Sequence, residues 1–395
     1  MGLRSTLFLF RLLLCMVCVL SQPARGGAAP TYHPGFKTLG MWLADTGERL
    51  DIAFWYPSIR SPSQVQYGDW TLTVARNGKE IPGRYPLVIL SHGSAGSRFT
   101  HHDTAASLAA SGFVVAAPTH PGDNIDDTSA LFAASQLTSR PKHISTLLDH
   151  LLGNTDTLQL IDPSRIAVVG YGVGGTMALL LGGAQIDSAS WKGYCEKSGP
   201  TDTYCTPWAR ERMDLLAQQT KNLPSFKDNR VRAVAAIAPS YGMLFTKGSL
   251  ASLTTPTLLV KAGLDEVNRA PLHADWLRTI MPSTPEFSVL AEADHFALIA
   301  QCPPTLERDL PEICGAVPPR ERDDIHRRLH ASLLRFLLAH LGESNPADVP
   351  PLPAPPVRVT APATPQANAT AANATTTNST GKAKPKQNRK AQQTR

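Results

Sequence analysis

Residues 164–176 read S-R-I-A-V-V-G-Y-G-V-G-G-T, an apolar strand entering a glycine-rich turn and then a helix. This is the local pattern of a G-x-S-x-G nucleophile elbow. Serine-type acyl transfer needs a hydroxyl to attack a carbonyl carbon and an imidazole to take its proton. A carboxylate orients the imidazole, and N–H donors hold the oxyanion. The chain offers the last two side chains in the order acid, then histidine: Asp265 in A-G-L-D-E and His295 in A-D-H-F, each just past a strand-like run. The elbow's middle position is Gly172, which has no atom to attack with. Gly170, Gly174 and Gly175 fix the register, so the glycine is not a shifted serine. An elbow residue sits in a strained backbone conformation, and glycine adopts such angles without a Cβ penalty. The substitution is expected to keep the fold and remove covalent catalysis.

Other groups compete for attention. Asp294 beside His295 is a rival orienting acid, but chain neighbours point apart and Asp265 is preferred. Ser94 carries a hydroxyl, and a water activated by His295 would be a slow substitute nucleophile. Tyr171 is expected to point into the scaffold. His101-His102-Asp103 could bind a metal, or Asp103 could cap a helix. His326 and His330 share a helix face without an E-x-x-H arrangement and read as solvated. No metal and no cofactor are expected.

These positions need a scaffold. Strands are predicted at Leu50–Tyr56, Trp70–Val74, Pro86–Leu90, Phe113–Ala117, Arg165–Val169, Val231–Ile237, Thr257–Val260 and Phe287–Leu290. Helices are predicted at Thr104–Ala110, Lys142–Leu152, Thr176–Leu181, Leu272–Ile280 and Asp323–Leu341. Near-continuous apolar strands separated by helices imply an α/β fold, with a mostly parallel central sheet covered on both faces. Residues 186–229 interrupt the alternation with Trp191, Tyr194, Tyr204, Trp208 and two cysteines. They read as a small cap over the site, or as a solvent-facing elaboration.

Together, Ser91-His92-Gly93-Ser94-Ala95-Gly96, the loop His120-Pro121-Gly122-Asp123-Asn124, the elbow, Asp265 and His295 with the Cys302/Cys314 segment resemble the dienelactone hydrolase-like branch of α/β-hydrolases. That branch includes relatives of platelet-activating-factor acetylhydrolase. The resemblance spans roughly residues 35–342 and is more specific for fold than for substrate. It implies that Asp265 orients His295 as general base, and that the N–H groups of Ser94 and Val173 form an oxyanion hole. His92, Asp123 and Asn124 are expected at the pocket rim, Asp123 and Asn124 alternatively in a plain turn. The departure is G-Y-G-V-G-G where relatives have G-H-S-x-G-G, so both the histidine and the serine are replaced. The resemblance implies a carboxylic-ester or acetyl-ester hydrolase, and Gly172 implies that its serine-type activity is lost or strongly reduced. The alternative is a non-catalytic relative that binds an ester-like ligand or a protein partner.

The chain has 395 residues, 42% hydrophobic and 18% charged, and a net charge of +6. The charge is localised. Residues 349–395 hold seven basic groups and no acid, which leaves the rest at −1. Nucleic acid is therefore not an expected partner, and a small ester or acyl-lipid ligand is. Residues 1–28 read as a secretory signal: Arg4 and Arg11, the apolar run Leu12–Leu20, then small residues with a cut after Ala28. A signal anchor starting at Leu7 would have to bury Arg11. Export to a periplasm or the exterior makes disulfides plausible for the four remaining cysteines. Three pairings are open, and the short loops favour Cys195–Cys205 and Cys302–Cys314. The fold domain is expected over 29–344. The Pro/Ala/Thr/Asn-rich stretch 345–395 is expected to be a disordered basic tail carrying sequons at Asn368, Asn373 and Asn378. The tail is either simply solvated or touches an anionic surface.

Overall fold

The computed structural model describes residues 32–342 apart from Ala316, so the signal sequence and the basic tail with its sequons lie outside the described residues. Ten strands form one sheet: β1 (His33–Trp42), β2 (Arg49–Ser58), β3 (Ser63–Tyr67), β4 (Trp70–Arg76), β5 (Tyr85–Ser91), β6 (Val114–Thr119), β7 (Ile161–Tyr171), β8 (Val231–Ile237), β9 (Thr257–Ala262) and β10 (Glu286–Leu290). Their order is β10-β9-β8-β7-β5-β6-β2-β1-β4-β3. The block from β10 to β6 is parallel, and β2 and β1 continue it antiparallel. The main helices are α1 (His102–Ala110), α2 (Ala134–Gly153), α3 (Val173–Gly182), α4 (Pro207–Gln219), α5 (Ala274–Ile280) and α6 (Pro319–Leu341).

Two apolar cores form because the inner strands are buried on both faces. One joins the sheet to α2, α3 and the 191–216 segment through Ile52, Ile89, Val168, Leu147, Met177 and Met213. The other joins it to α1 and α6 through Val88, Val169, Leu108, Leu329 and Phe336. The chain leaves β5 for β6 on one side and returns to β7 on the other, which puts a topological switch between β5 and β7. Ligand crevices of open α/β sheets lie at such points, outside the carboxyl ends of the strands. The ends that meet there are Ser91-His92-Gly93 and Tyr171-Gly172.

The predicted strands are all present, with β7 and β2 extended. β1 and β3 were not predicted. β1 (HPGFKTLGMW) is interrupted by Pro34 and two glycines, which mask its alternation, yet it pairs with β2 along its whole length. α2 begins eight residues before the expected start because Pro141 lies inside it. A proline in a helix interior normally reads as a stop.

Both favoured disulfides are formed, Cys195–Cys205 and Cys302–Cys314. Replacing Cys195 and Cys205 by serine is expected to lower stability by about 2–3 kcal/mol through the freed loop. Urea unfolding of the oxidised protein against the double variant measures it. Among the described residues, no helix is long and apolar enough to cross a membrane.

Candidate active site

The elbow is built by close backbone approach. Gly174 touches β5 so tightly that an added Cβ would lie 2.1 Å from the Ser91 carbonyl oxygen. Gly172 has φ 56° and ψ −120° at the start of α3. Its N–H donates to the Ile237 carbonyl at 2.9 Å, and its carbonyl accepts from the Ser240 N–H at 3.0 Å. Residue 172 is therefore clamped to β8 and the loop after it, whatever its side chain. A Cβ placed on Gly172 would stand 3.5 Å from Ser240 Oγ, 3.6 Å from Gly93 Cα and 3.9 Å from His295 Nε2.

His295 and Asp265 are both buried, and His295 Nδ1 meets Asp265 Oδ2 at 2.8 Å. A carboxylate only accepts, so Nδ1 carries the proton, and in the neutral ring Nε2 presents its lone pair. The second carboxylate oxygen, Oδ1, accepts from the N–H groups of Val267 at 2.9 Å and Asn268 at 2.7 Å. Burial alone would raise the Asp265 pKa. The hydrogen bond and charge of His295, with the Asn268 N–H, outweigh burial and hold it below the ordinary carboxylate value. Asp294 instead accepts from the Ala297 N–H at 2.6 Å and caps the turn that follows His295.

That turn is braced from three sides. Tyr171, buried as expected, donates its hydroxyl to the His295 carbonyl at 2.9 Å. Arg322 of α6 donates to the carbonyls of Phe296 (2.6 Å) and Ile299 (2.9 Å). His326 donates Nε2–H to the Ala297 carbonyl at 2.9 Å and Nδ1–H to Asp103. His326 is thus buried rather than solvated, because α6 turns that face onto α1. Both of its partners are pure acceptors, so the ring is an imidazolium. Burial opposes that charge, but Asp103 and the Ala297 carbonyl raise the pKa above the ordinary value. His330 lies 3.6 Å from the same carboxylate, so Asp103, His326 and His330 come together as a cluster.

On the opposite wall, Gly93 faces the elbow, Ser94 is exposed, and Ala95 takes a left-handed φ of 55°. Val173 is the first residue of α3, and first-turn N–H groups have no partner within their own helix. The three residues expected at the rim are buried, and Asp123 and Asn124 lie in a turn, the alternative reading of that loop. His92 lies inside the scaffold, with Nδ1 donating to the Gly93 carbonyl at 2.6 Å and Nε2 accepting from the His120 N–H at 3.1 Å. Asp123 is paired with buried Arg140 at 2.7 Å. Asn124 donates to the His120 carbonyl at 2.8 Å and caps a turn with its Oδ1.

Arg140, which the sequence reading missed, organises this wall. It donates to the carbonyls of His92 (2.6 Å), Gly93 (3.1 Å) and Asp123 (3.1 Å). Gln136 bonds Ser94 Oγ at 2.8 Å and Asp123 Oδ2 at 2.6 Å, and it accepts from the Tyr241 hydroxyl. A signal existed: Arg140 falls on the same helical face as Leu137, Ile144 and Leu147, where a charge needs a buried partner. Arg140→Met is expected to cost about 3–5 kcal/mol, because it strands the Asp123 charge. Thermal and urea unfolding measure the loss.

The 186–229 segment does reach the site. Tyr204 donates to Asn268 Oδ1 at 2.6 Å, and Asp202 pairs with Arg269 at 3.1 Å, both beside the Asp265 loop. A cleft of about 730 Å³ between this segment and Gln185, Thr246 and Ser249 shares no residue with the Gly172–Asp265–His295 cluster.

Comparison with known proteins agrees with this fold. Residues 60–145 match the family described as platelet-activating factor acetylhydrolase, isoform II. Among solved structures, a ferulic acid esterase from Streptomyces cinnamoneus is 19% identical, with a TM-score of 0.53 over 80% of this chain and 92% of that one. A putative dipeptidyl aminopeptidase IV from Bacteroides ovatus is 12% identical, with a TM-score of 0.44 over 78% of this chain and 36% of that one. No curated protein matches the chain. The chain has the α/β-hydrolase fold and resembles the platelet-activating-factor acetylhydrolase and dienelactone hydrolase-like branch of that superfamily.

Proposed function

We propose that this protein is an exported carboxylic-ester or acetyl-ester hydrolase whose acyl-enzyme step has been removed, so that its pocket binds small ester or acyl-lipid ligands with little or no serine-type turnover. The carrying observation is the 3.9 Å between a Cβ at position 172 and His295 Nε2. A serine hydroxyl at that position would come within reach of a base already paired with its acid. In this reading Asp265 orients His295, His295 is the base, and the N–H groups of Ser94 and Val173 receive the oxyanion. The two disulfides support export, since such bonds persist in oxidising compartments. The basic tail would then bring the domain to an anionic surface. The test is hydrolysis of short-chain p-nitrophenyl esters by the protein and by Gly172→Ser. An inactive serine variant would favour the second reading, a binding protein for an ester-like ligand or a protein partner. Gly172 itself is the observation that supports it.

A further inference from the structure

The point that a residue-172 side chain would occupy is bordered by two polar atoms, His295 Nε2 and Ser240 Oγ. Ser240 follows β8 in A-P-S-Y, just past the carboxyl end of the strand beside the elbow. Its hydrogen-bond directions are set by its neighbours. Ser240 Oγ accepts from Asn268 Nδ2 at 3.1 Å. The Tyr204 hydroxyl donates to the Oδ1 of the same Asn268 at 2.6 Å, and among the described residues no hydrogen bond joins Ser240 Oγ to His295 Nε2. A hydroxyl offers one donor and two acceptor positions. With one acceptor position taken by Asn268, Ser240 retains a lone pair beside the space that a residue-172 side chain would fill.

This arrangement disfavours Ser240 as a nucleophile and suits it to hold one. A water between Ser240 Oγ and His295 Nε2 would give one hydrogen to each acceptor and keep a lone pair for attack. Resting on the ester-binding reading above, we propose that Ser240 is a catalytic residue for direct, single-displacement ester hydrolysis, holding the attacking water that His295 deprotonates. The water oxygen bonds to the ester carbonyl carbon while its proton passes to His295 Nε2. The carbonyl oxygen takes the negative charge, facing the Ser94 and Val173 N–H groups. The carbon–oxygen bond to the alcohol then breaks, and the His295 proton goes to the departing alkoxide. The products are the alcohol and the carboxylic acid, which ionises to solvent. No acyl-enzyme forms.

The experiment uses the full chain and p-nitrophenyl acetate. The protein is expected to show slow turnover without a burst of p-nitrophenolate and without a mass adduct from a fluorophosphonate probe. Ser240→Ala is expected to lower kcat about 10-fold through loss of one hydrogen bond to the water. His295→Ala should lower it by about 10²-fold or more. Ser240→Thr, which keeps the hydroxyl, should retain most of the rate and guards against a misfolded alanine variant. An unchanged rate in folded Ser240→Ala, or an adduct or burst assigned to Ser240, overturns the proposal. So does the absence of any His295-dependent turnover. Gly172→Ser separates the two readings, because its activity would survive that failure, whereas an inactive Gly172→Ser variant counts against the ester-hydrolase reading itself.

Discussion

Gly172→Ser is expected to raise hydrolysis of short p-nitrophenyl esters by about 10³-fold or more. Removing a triad nucleophile costs on the order of 10⁶ in turnover where the rest of the site is intact, leaving about 10³–10⁴ over water. Here the remainder is assembled: Asp265 lies 2.8 Å from His295 Nδ1, and Nε2 lies 3.9 Å from the Cβ position. The backbone at 172 already holds the elbow conformation, so serine would enter it without rearranging the loop. The same substitution should destabilise. Serine at φ 56°, ψ −120° carries a Cβ in a region that glycine enters freely, at a cost of about 1–3 kcal/mol. The variant is therefore expected to be faster and less stable together. Kinetics and thermal unfolding on one preparation check both, and adding His295→Ala should abolish the gain without restoring stability. A serine variant no faster than the parent would show that the oxyanion wall or the pocket has diverged as well.

The second large effect concerns acid. Burial lowers the pKa of His101 and His143 to about 4 and of His273 to about 3, from an ordinary value of 6.5. His92 and His120 are shifted in the same direction by burial and by the Arg140 charge. A group whose folded pKa is depressed stabilises the fold through its uncharged form. That stabilisation is fully present above 6.5 and is lost as pH falls from 6.5 through the folded values, 4 to 3. His101 and His143 each stand for about 3 kcal/mol over this window. With His273, the total reaches the order of 10 kcal/mol, comparable with the whole stability of an ordinary domain. Melting temperature should fall steeply between pH 6.5 and 4, and the protein should unfold before most carboxylates titrate. A melting temperature flat over that range would refute it. His326 works in the opposite sense. Its folded pKa is raised, so its ion pair with Asp103 stabilises fully below 6.5 and is lost as pH rises through the folded value.

Much of this was legible in the chain itself. Apolar runs placed the inner strands, because strands buried on both faces cannot hide polar residues. The chain order of Gly172, Asp265 and His295 gave the cluster, because strand ends bring distant residues to one edge of the sheet. The burial of the wall opposite was not legible, for an equally physical reason. His92, Asp123 and Asn124 sit among glycine and proline and read as residues of a pocket rim or a turn. What ties this wall together is Arg140, more than a dozen residues further on, whose guanidinium satisfies three carbonyls and one carboxylate at once. Pairings of that kind depend on where a helix docks, and local pattern does not record it. Ser240 escaped notice because a lone serine after a strand has no signature until the neighbouring elbow is seen to lack its own hydroxyl.

The two hydrogen bonds that tie the main chain of Gly172 to Ile237 and Ser240 have a consequence for how the turn tolerates change. The geometry of this elbow is stored in peptide groups, which every residue type possesses, and not in the side chain that would react. The turn therefore keeps its shape with glycine at its centre. Whatever side chain stands at position 172, those peptide contacts would hold it at the same point of the turn.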